Sequence, residues 1–316
     1  MEKRELGKSG IKVAPFCLGG NVFGWTIDEQ TSFKVLDAFA GEGMDFIDTA
    51  DVYSTWANNG TGGQSETVIG NWLKKSGKRN DVIIATKVGK PMGGDKKGLS
   101  AKYIAQAAED SLRRLQTDHI DLYQSHEDDS NTPFDETFEA FEKLIKEGKV
   151  RTIGASNFSG DRLKEALTAG AAKGFSNYQT LQPEYNLYNR QDYEKQYEDI
   201  CLEKGLRVIS YFSLASGFLT GKYRSEADFD KSKRGGGMSK YLNDRGKRIL
   251  AALDDIAAEY NATPAAVSLA WLIARPSITA PIASATSVDQ LKQILKSLEL
   301  NLSAEAVAKL DEASAY

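Results

Sequence analysis

The feature that most constrains this chain is an eightfold alternation of short apolar, β-rich segments with stretches of helical spacing. The segments are residues 13–19, 44–48, 82–86, 120–125, 150–154, 178–182, 207–211 and 279–283. Between them, stretches such as residues 104–115 and 134–145 place apolar side chains three and four apart, the period of a one-sided helix. Ser100 reads as the cap of the first of these helices, and Thr132 followed by Pro133 as the opening of the second. A strand followed by a helix must return the chain to the same edge, so the strands are predicted to be parallel. Eight such units close into a (β/α)8 TIM barrel, an α/β fold that runs past about 250 residues as one domain. No linker interrupts the pattern, and a single domain over residues 1–316 is expected. Residues 4–13, turning at Ser9 and Gly10, are predicted to add a β-hairpin that closes the barrel's bottom. The rival fold, an open doubly wound sheet, lacks its G-x-G-x-x-G fingerprint, because residues 19–24 read GGNVFG.

Composition bounds the function. The net charge is −4, and the densest basic run, residues 231–234, sits in a glycine-rich loop. A polyanion partner needs concentrated positive surface, so no nucleic-acid partner is expected. No apolar run reaches the ~18 residues of a membrane span, and the opening MEKRELGKSG lacks a signal-peptide core. Cys17 and Cys201 lie among apolar neighbours and read as buried thiols in a reducing compartment. The expectation is a cytoplasmic protein with no membrane association.

Barrel enzymes carry their chemistry at the C-terminal ends of the strands. Asp48, Lys87 and His126 stand at three consecutive strand ends, and Tyr53 follows five residues after Asp48. Taken singly, each has a structural reading; His119, before its strand, keeps that reading. Together they make a proton-transfer set. A free phenol titrates near 10, a nearby ammonium lowers that value, and Lys87 is expected to play this part for Tyr53. Asp48 can hold Lys87 by a charge-assisted bond, and His126 can bond a substrate oxygen. The set suits reduction of a carbonyl; a Schiff-base lysine in a barrel hydrolase or aldolase is the competing use of Lys87. The acidic residues Glu127, Asp128 and Asp129 have no second histidine nearby, so they read as a solvated loop and no metal is expected. Long loops at residues 52–63, 89–98 and 217–241 follow strands and are expected around the barrel mouth.

The stretch Asp48-Thr-Ala-Asp-Val-Tyr53 resembles the D-T-A-x-x-Y signature of the aldo-keto reductases. Ala85-Thr-Lys87-Val and Leu122-Tyr-Gln-Ser-His126 are similar to that family's lysine and histidine segments. The resemblance continues in order through Gly154-Ala-Ser-Asn157-Phe, Gln182-Pro-Glu-Tyr-Asn186, Ser210-Tyr211 and Gly217-Phe-Leu-Thr-Gly-Lys-Tyr223, covering essentially the whole chain. The loop at residues 54–63, with Gly62-Gly-Gln-Ser-Glu66, resembles bacterial members related to aryl-alcohol dehydrogenases and potassium-channel β subunits.

The resemblance implies a catalytic tetrad of Asp48, Tyr53, Lys87 and His126, with Tyr53 as general acid in reduction and general base in oxidation. It places Ser156, Asn157 and Gln182 on the nicotinamide carboxamide, Tyr211 stacked on its ring, and Gly20 in the cofactor-binding set. The phosphates fall under the loop starting at Leu214 and including Gly217, near Lys222. At the adenosine end, Ser284, Thr286 and Gln290 stand where bases that pair with the NADP 2′-phosphate are often found, leaving Lys292 as the compensating cation. NADP is therefore the cofactor the resemblance implies, with NAD kept as an alternative. Trp25 and Trp56 are expected at the mouth as substrate contacts, suiting a small aryl, aliphatic or sugar carbonyl or its alcohol. The alternative function is a redox-responsive, nicotinamide-binding regulatory subunit with slow turnover.

Overall fold

The computed structural model describes residues 2–57, 61–232 and 235–316. Two short strands, β1 (Arg4–Glu5) and β2 (Lys12–Val13), pair antiparallel as the predicted hairpin. The main sheet has eight strands: β3 (Cys17–Gly19), β4 (Phe46–Asp48), β5 (Ile83–Val88), β6 (Ile120–Ser125), β7 (Val150–Ser156), β8 (Thr180–Gln182), β9 (Arg207–Val208) and β10 (Ile282–Ala283). All neighbours are parallel, in the order β10-β3-β4-β5-β6-β7-β8-β9. The sheet then curls onto itself: Val208 N–H donates to Ser277 O (3.1 Å), and Ile282 N–H to Ser210 O (2.8 Å). This is the (β/α)8 architecture.

Helices α1 (Glu29–Gly41), α2 (Gln64–Ser76), α3 (Ala101–Leu115), α4 (Phe134–Lys146) and α5 (Gly160–Ala172) follow β3 to β7 in turn. The later units carry α6 (Gln191–Gln196), α7 (Glu198–Lys204), α8 (Asp244–Glu259), α9 (Pro264–Ile273), α10 (Val288–Leu295) and α11 (Ala304–Ala313). Most of their apolar faces, with Trp72 and Trp271, pack on the outside of the sheet as one core. A second core fills the barrel: hairpin residues Leu6, Ile11 and Val13 meet Cys17, Phe46, Ala85, Leu122 and Ile282. Hairpin contacts go to residues just before strands, as in Lys8 N–H to Gln179 Oε1 (2.8 Å) and Ala14 N–H to Asp45 Oδ1 (2.8 Å). The hairpin thus seals the N-terminal end.

Several boundaries differ from expectation. Val13 belongs to the hairpin, and Pro15, lacking an N–H, separates it from β3. The last strand shrinks to two residues because Pro281 cannot donate to the ladder. The segment at 207–211 leaves the ladder after Val208. The second helix opens at Phe134, with Pro133 as its cap; the Thr132 hydroxyl instead donates to Asp129 Oδ2 (2.7 Å). Residues 217–241 contain 3-10 turns at 226–231, 235–237 and 239–241, started by a capping box between Ser225 and Asp228. Asn58, Asn59 and Gly60 of the first long loop, and Lys233 and Arg234 of the basic run, lie outside the described residues.

Candidate active site

Strand geometry brings the four predicted side chains to one place. Asp48 ends β4, Lys87 is the penultimate residue of β5, and His126 follows β6 directly. Beyond β4 the chain stays tied to β5, with Thr49 N–H donating to Ala85 O (2.8 Å). It then turns, Tyr53 N–H donating to Ala50 O (3.2 Å), which swings the phenol back over the strand ends.

Lys87 is fully buried and has all three of its N–H bonds engaged. They go to Asp48 Oδ2 (2.7 Å), to the Thr49 carbonyl (2.7 Å) and to the Tyr53 hydroxyl oxygen (2.9 Å). The Tyr53 hydroxyl in turn donates to Asp48 Oδ2 (3.1 Å), and Gln182 Nε2 donates to Asp48 Oδ1 (2.9 Å). The His126 ring stands edge-on to Tyr53 with centroids 6.2 Å apart. Among the described residues its Nδ1 has no partner.

The electrostatics correct one expectation. Lys87 does not bring the Tyr53 phenol down: burial first, and then the neighbouring Asp48 carboxylate, hold it well above the ordinary tyrosine value. The cause is that Asp48 accepts from both groups and offsets the ammonium. Burial likewise lowers Lys87, with Asp48 opposing. The His126 imidazole is held well below its usual value by burial and then by the positive charge of Lys87. Burial thus favours the uncharged phenol and the uncharged imidazole, set over the Lys87–Asp48 salt bridge.

Above this floor opens a cavity of about 1140 Å³. Its wall includes Asp48, Tyr53, His126, Ser156, Asn157, Gln182, Tyr211, Leu214, Gly217, Lys222, Ser284, Thr286, Gln290 and Trp56 from the predicted set. Lys87 lies beneath the floor. At Gly20 the wall is made by Gly19 and Asn21, while Gly20 is buried with its carbonyl accepting from Ser65 Oγ (2.8 Å). Trp25 packs edge-on against Trp56 (5.5 Å), whose own ring is 6.1 Å from that of Tyr53. Lys292, the expected compensating cation, is exposed on α10.

The residues expected on the cofactor side are hydrogen-bonded within the wall. Asn157, at φ 55°, donates through Nδ2 to His126 O (2.8 Å) and Ser156 Oγ (3.0 Å), and accepts at Oδ1 from the Tyr211 hydroxyl (2.9 Å). Ser284 Oγ donates to Asn21 Oδ1 (2.7 Å), and Gln290 Oε1 accepts from Thr286 N–H (3.0 Å) and Oγ1 (2.8 Å). The loop before Lys222 is contorted, with Phe212, Ala215, Ser216 and Gly217 all in the left-handed region. Such strain persists only where surroundings fix it, commonly at ligand sites.

Sequence reasoning missed Asn21, Lys90, Ser213 and Thr263, all on the cavity wall. The signal for Thr263 was present, because Thr263-Pro264 opens α9 with Thr263 Oγ1 capping Ala266 N–H (3.2 Å). Its place at the cavity is a tertiary fact. The acidic run after His126 is spent locally: Asp128 pairs with Arg162 (2.7 Å), and Asp129 accepts from Leu99 N–H (2.8 Å). Among the described residues no three His, Cys, Asp or Glu side chains converge as metal ligands. No helix of the described residues is long and apolar enough to cross a membrane.

Fold and site together define an oxidoreductase built on a (β/α)8 barrel. The chain belongs to the aldo/keto reductase family, whose model matches residues 15–315. It is 37% identical to the uncharacterized oxidoreductase YrpG of Bacillus subtilis (strain 168), covering 99% of this chain and 95% of that protein. It is 31% identical to a probable voltage-gated potassium channel subunit beta of Arabidopsis thaliana, over 95% of this chain and 92% of the other. A relative in Schizosaccharomyces pombe, the aldo-keto reductase yakc [NADP(+)], is 29% identical over 98% of this chain and 90% of its own length.

Proposed function

We propose that the protein interconverts aldehydes or ketones with alcohols, using a nicotinamide dinucleotide, with Tyr53 as the proton donor. The observation that carries this reading is the triply bonded Lys87 beneath the Tyr53 hydroxyl. As a carbonyl oxygen over Tyr53 gains negative charge, the phenol supplies a proton. The phenolate left behind is stabilised by the ammonium 2.9 Å away, at no cost in reorganisation. Asp48 keeps that ammonium in place. His126, uncharged, is a hydrogen-bonding partner for the substrate oxygen rather than a proton source. A Schiff base on Lys87 is disfavoured, because its nitrogen is buried below the cavity with every N–H engaged.

The cavity fits a dinucleotide. Ser156, Asn157 and Gln182 would hold the carboxamide, and Tyr211 would lie against the ring, which when bound supplies or accepts the hydride. The contorted loop at residues 212–217, left-handed at Phe212, Ala215, Ser216 and Gly217, and the N-terminal turn of α9 offer N–H groups to phosphates. Lys222 and Lys231 both line the wall; Lys231 is paired with Asp228 (2.7 Å), whereas Lys222 has no ion pair among the described residues. We therefore assign NADP recognition to Lys222 rather than to Ser284 and Gln290, whose side chains bond to Asn21 and Thr286. The printed name of the S. pombe relative includes NADP(+), which agrees with this assignment.

Steady-state oxidation of NADPH and NADH with a panel of aryl, aliphatic and sugar aldehydes tests the reading. Sustained multiple turnovers are expected, with kcat/KM favouring NADPH by about tenfold or more, as one added charge pair of ~1.4 kcal/mol provides. Oxidation that stops after one turnover with every aldehyde would instead favour the regulatory-subunit alternative.

A further inference from the structure

The cavity wall carries one cation that has no ion pair among the described residues and that neither the proton-transfer set nor the phosphate end uses. Lys90 lies three residues beyond Lys87, just past β5, where Gly89 at φ 123° lets the chain turn inward. It is half-buried and lines the same wall as Tyr53, Trp56 and His126. Among the described residues it has no ion pair and no hydrogen bond. Asp48 is the sole acidic residue among those lining the cavity, and it is committed to Lys87, Tyr53 and Gln182. The charge of Lys90 is felt at the reaction centre, where it helps lower both His126 and Lys87. An ammonium on the cavity wall with no ion pair among the described residues is available to an anionic group of a bound ligand. The same wall carries the rings of Tyr53 and Trp56 and the side chain of Val52, a surface for an apolar spacer.

We infer that the carbonyl substrate carries a carboxylate, bound by Lys90 while its carbonyl oxygen meets Tyr53 and His126. The inference rests on the carbonyl-reductase reading and deepens it by naming the substrate class. Lys90 then acts as a specificity determinant, setting which carbonyl compounds dwell over the phenol. Because the pair is only partly shielded, its strength depends on salt.

The test compares kcat/KM for 4-carboxybenzaldehyde and 4-methylbenzaldehyde, and for succinic semialdehyde and butanal, with NADPH. In the wild type the acid of each pair is expected to be the better substrate. Lys90→Met should lower the acid-to-neutral ratio about five- to tenfold, mostly through KM, while Lys90→Arg restores it. Raising ionic strength from about 0.05 to about 0.5 M should move the wild-type ratio toward that of Lys90→Met. A ratio that neither Lys90→Met nor salt alters overturns the inference while leaving the carbonyl-reductase reading intact. If no aldehyde is turned over, that reading fails by itself. Calorimetry with 4-(hydroxymethyl)benzoate then decides the present one: weaker binding by Lys90→Met supports it, and equal binding overturns it.

Discussion

Asp51 stands three residues after Asp48 and two before Tyr53, on the turn that sets the phenol in place. It is 1% exposed, and among the described residues neither carboxylate oxygen has a partner. Burial and then the nearby Glu66 push it up to about 8, against the pull of Arg114 and Lys87. Glu66 itself accepts from Thr86 (2.6 Å) and Arg114 (2.7 Å). The folded protein keeps a proton on Asp51 up to about pH 8, whereas the unfolded chain releases it near 3.9. Stability from this residue therefore falls as pH rises across that window and levels off above it. Asp51→Asn should flatten the slope and raise unfolding free energy above pH 8 by on the order of 1–3 kcal/mol. Denaturant unfolding at acidic and alkaline pH checks this; an unchanged slope would mean that Asp51 is solvated in the native state. The tetrad itself was readable, because strand ends in a barrel converge. The direction of the Tyr53 shift was not, since it depends on the depth of burial and on Asp48 accepting from both neighbours.

Between elements, a close approach of backbones occurs where α2 meets α3. Gly70 has no side chain because a Cβ there would lie 2.1 Å from the Arg114 carbonyl oxygen and 2.7 Å from Leu115 C. Backbone cannot give way as a side-chain tip can. Gly70→Ala should cost about 2–3 kcal/mol despite alanine's better helix propensity. A lower denaturation midpoint with an unchanged m-value reports this; a stabilised variant would show that the helices can separate cheaply. The same pair holds Glu66 and Arg114, so loosening it also disturbs the Glu66–Arg114 ion pair and the bond from Thr86 of β5 to Glu66. At this scale the long strands β5, β6 and β7 were legible as short β-rich segments, almost wholly buried by helices outside and neighbours within. The short β9 and β10 were overextended, because Pro281 and the curling of the sheet end their ladders early. The far cavity wall was only partly visible: Leu214 and Gly217 were named, but the start of α9 reaches the cavity by tertiary packing that no local pattern encodes.

Across the whole molecule, binding and chemistry are distributed differently. The wall of the large cavity draws on residues from Gly19 to Ile294, so in the proposed reading cofactor affinity is shared among many weak contributors. In the proposed reaction, proton transfer rests on one hydroxyl over one buried ammonium. A ligand that binds only the folded state stabilises it by RT ln(1 + [L]/Kd), about 2.7 kcal/mol at a hundredfold excess over Kd. Removing the Tyr53 oxygen should leave that stabilisation nearly intact and abolish the chemistry. The most direct measurement is therefore Tyr53→Phe, followed in parallel by the NADPH-induced rise in Tm and by kcat with an aldehyde that the wild type reduces. The account predicts a Tm rise close to that of the wild type and a kcat lower by about a hundredfold or more. A variant that keeps wild-type kcat would contradict it, because Tyr53 would then not be the acid.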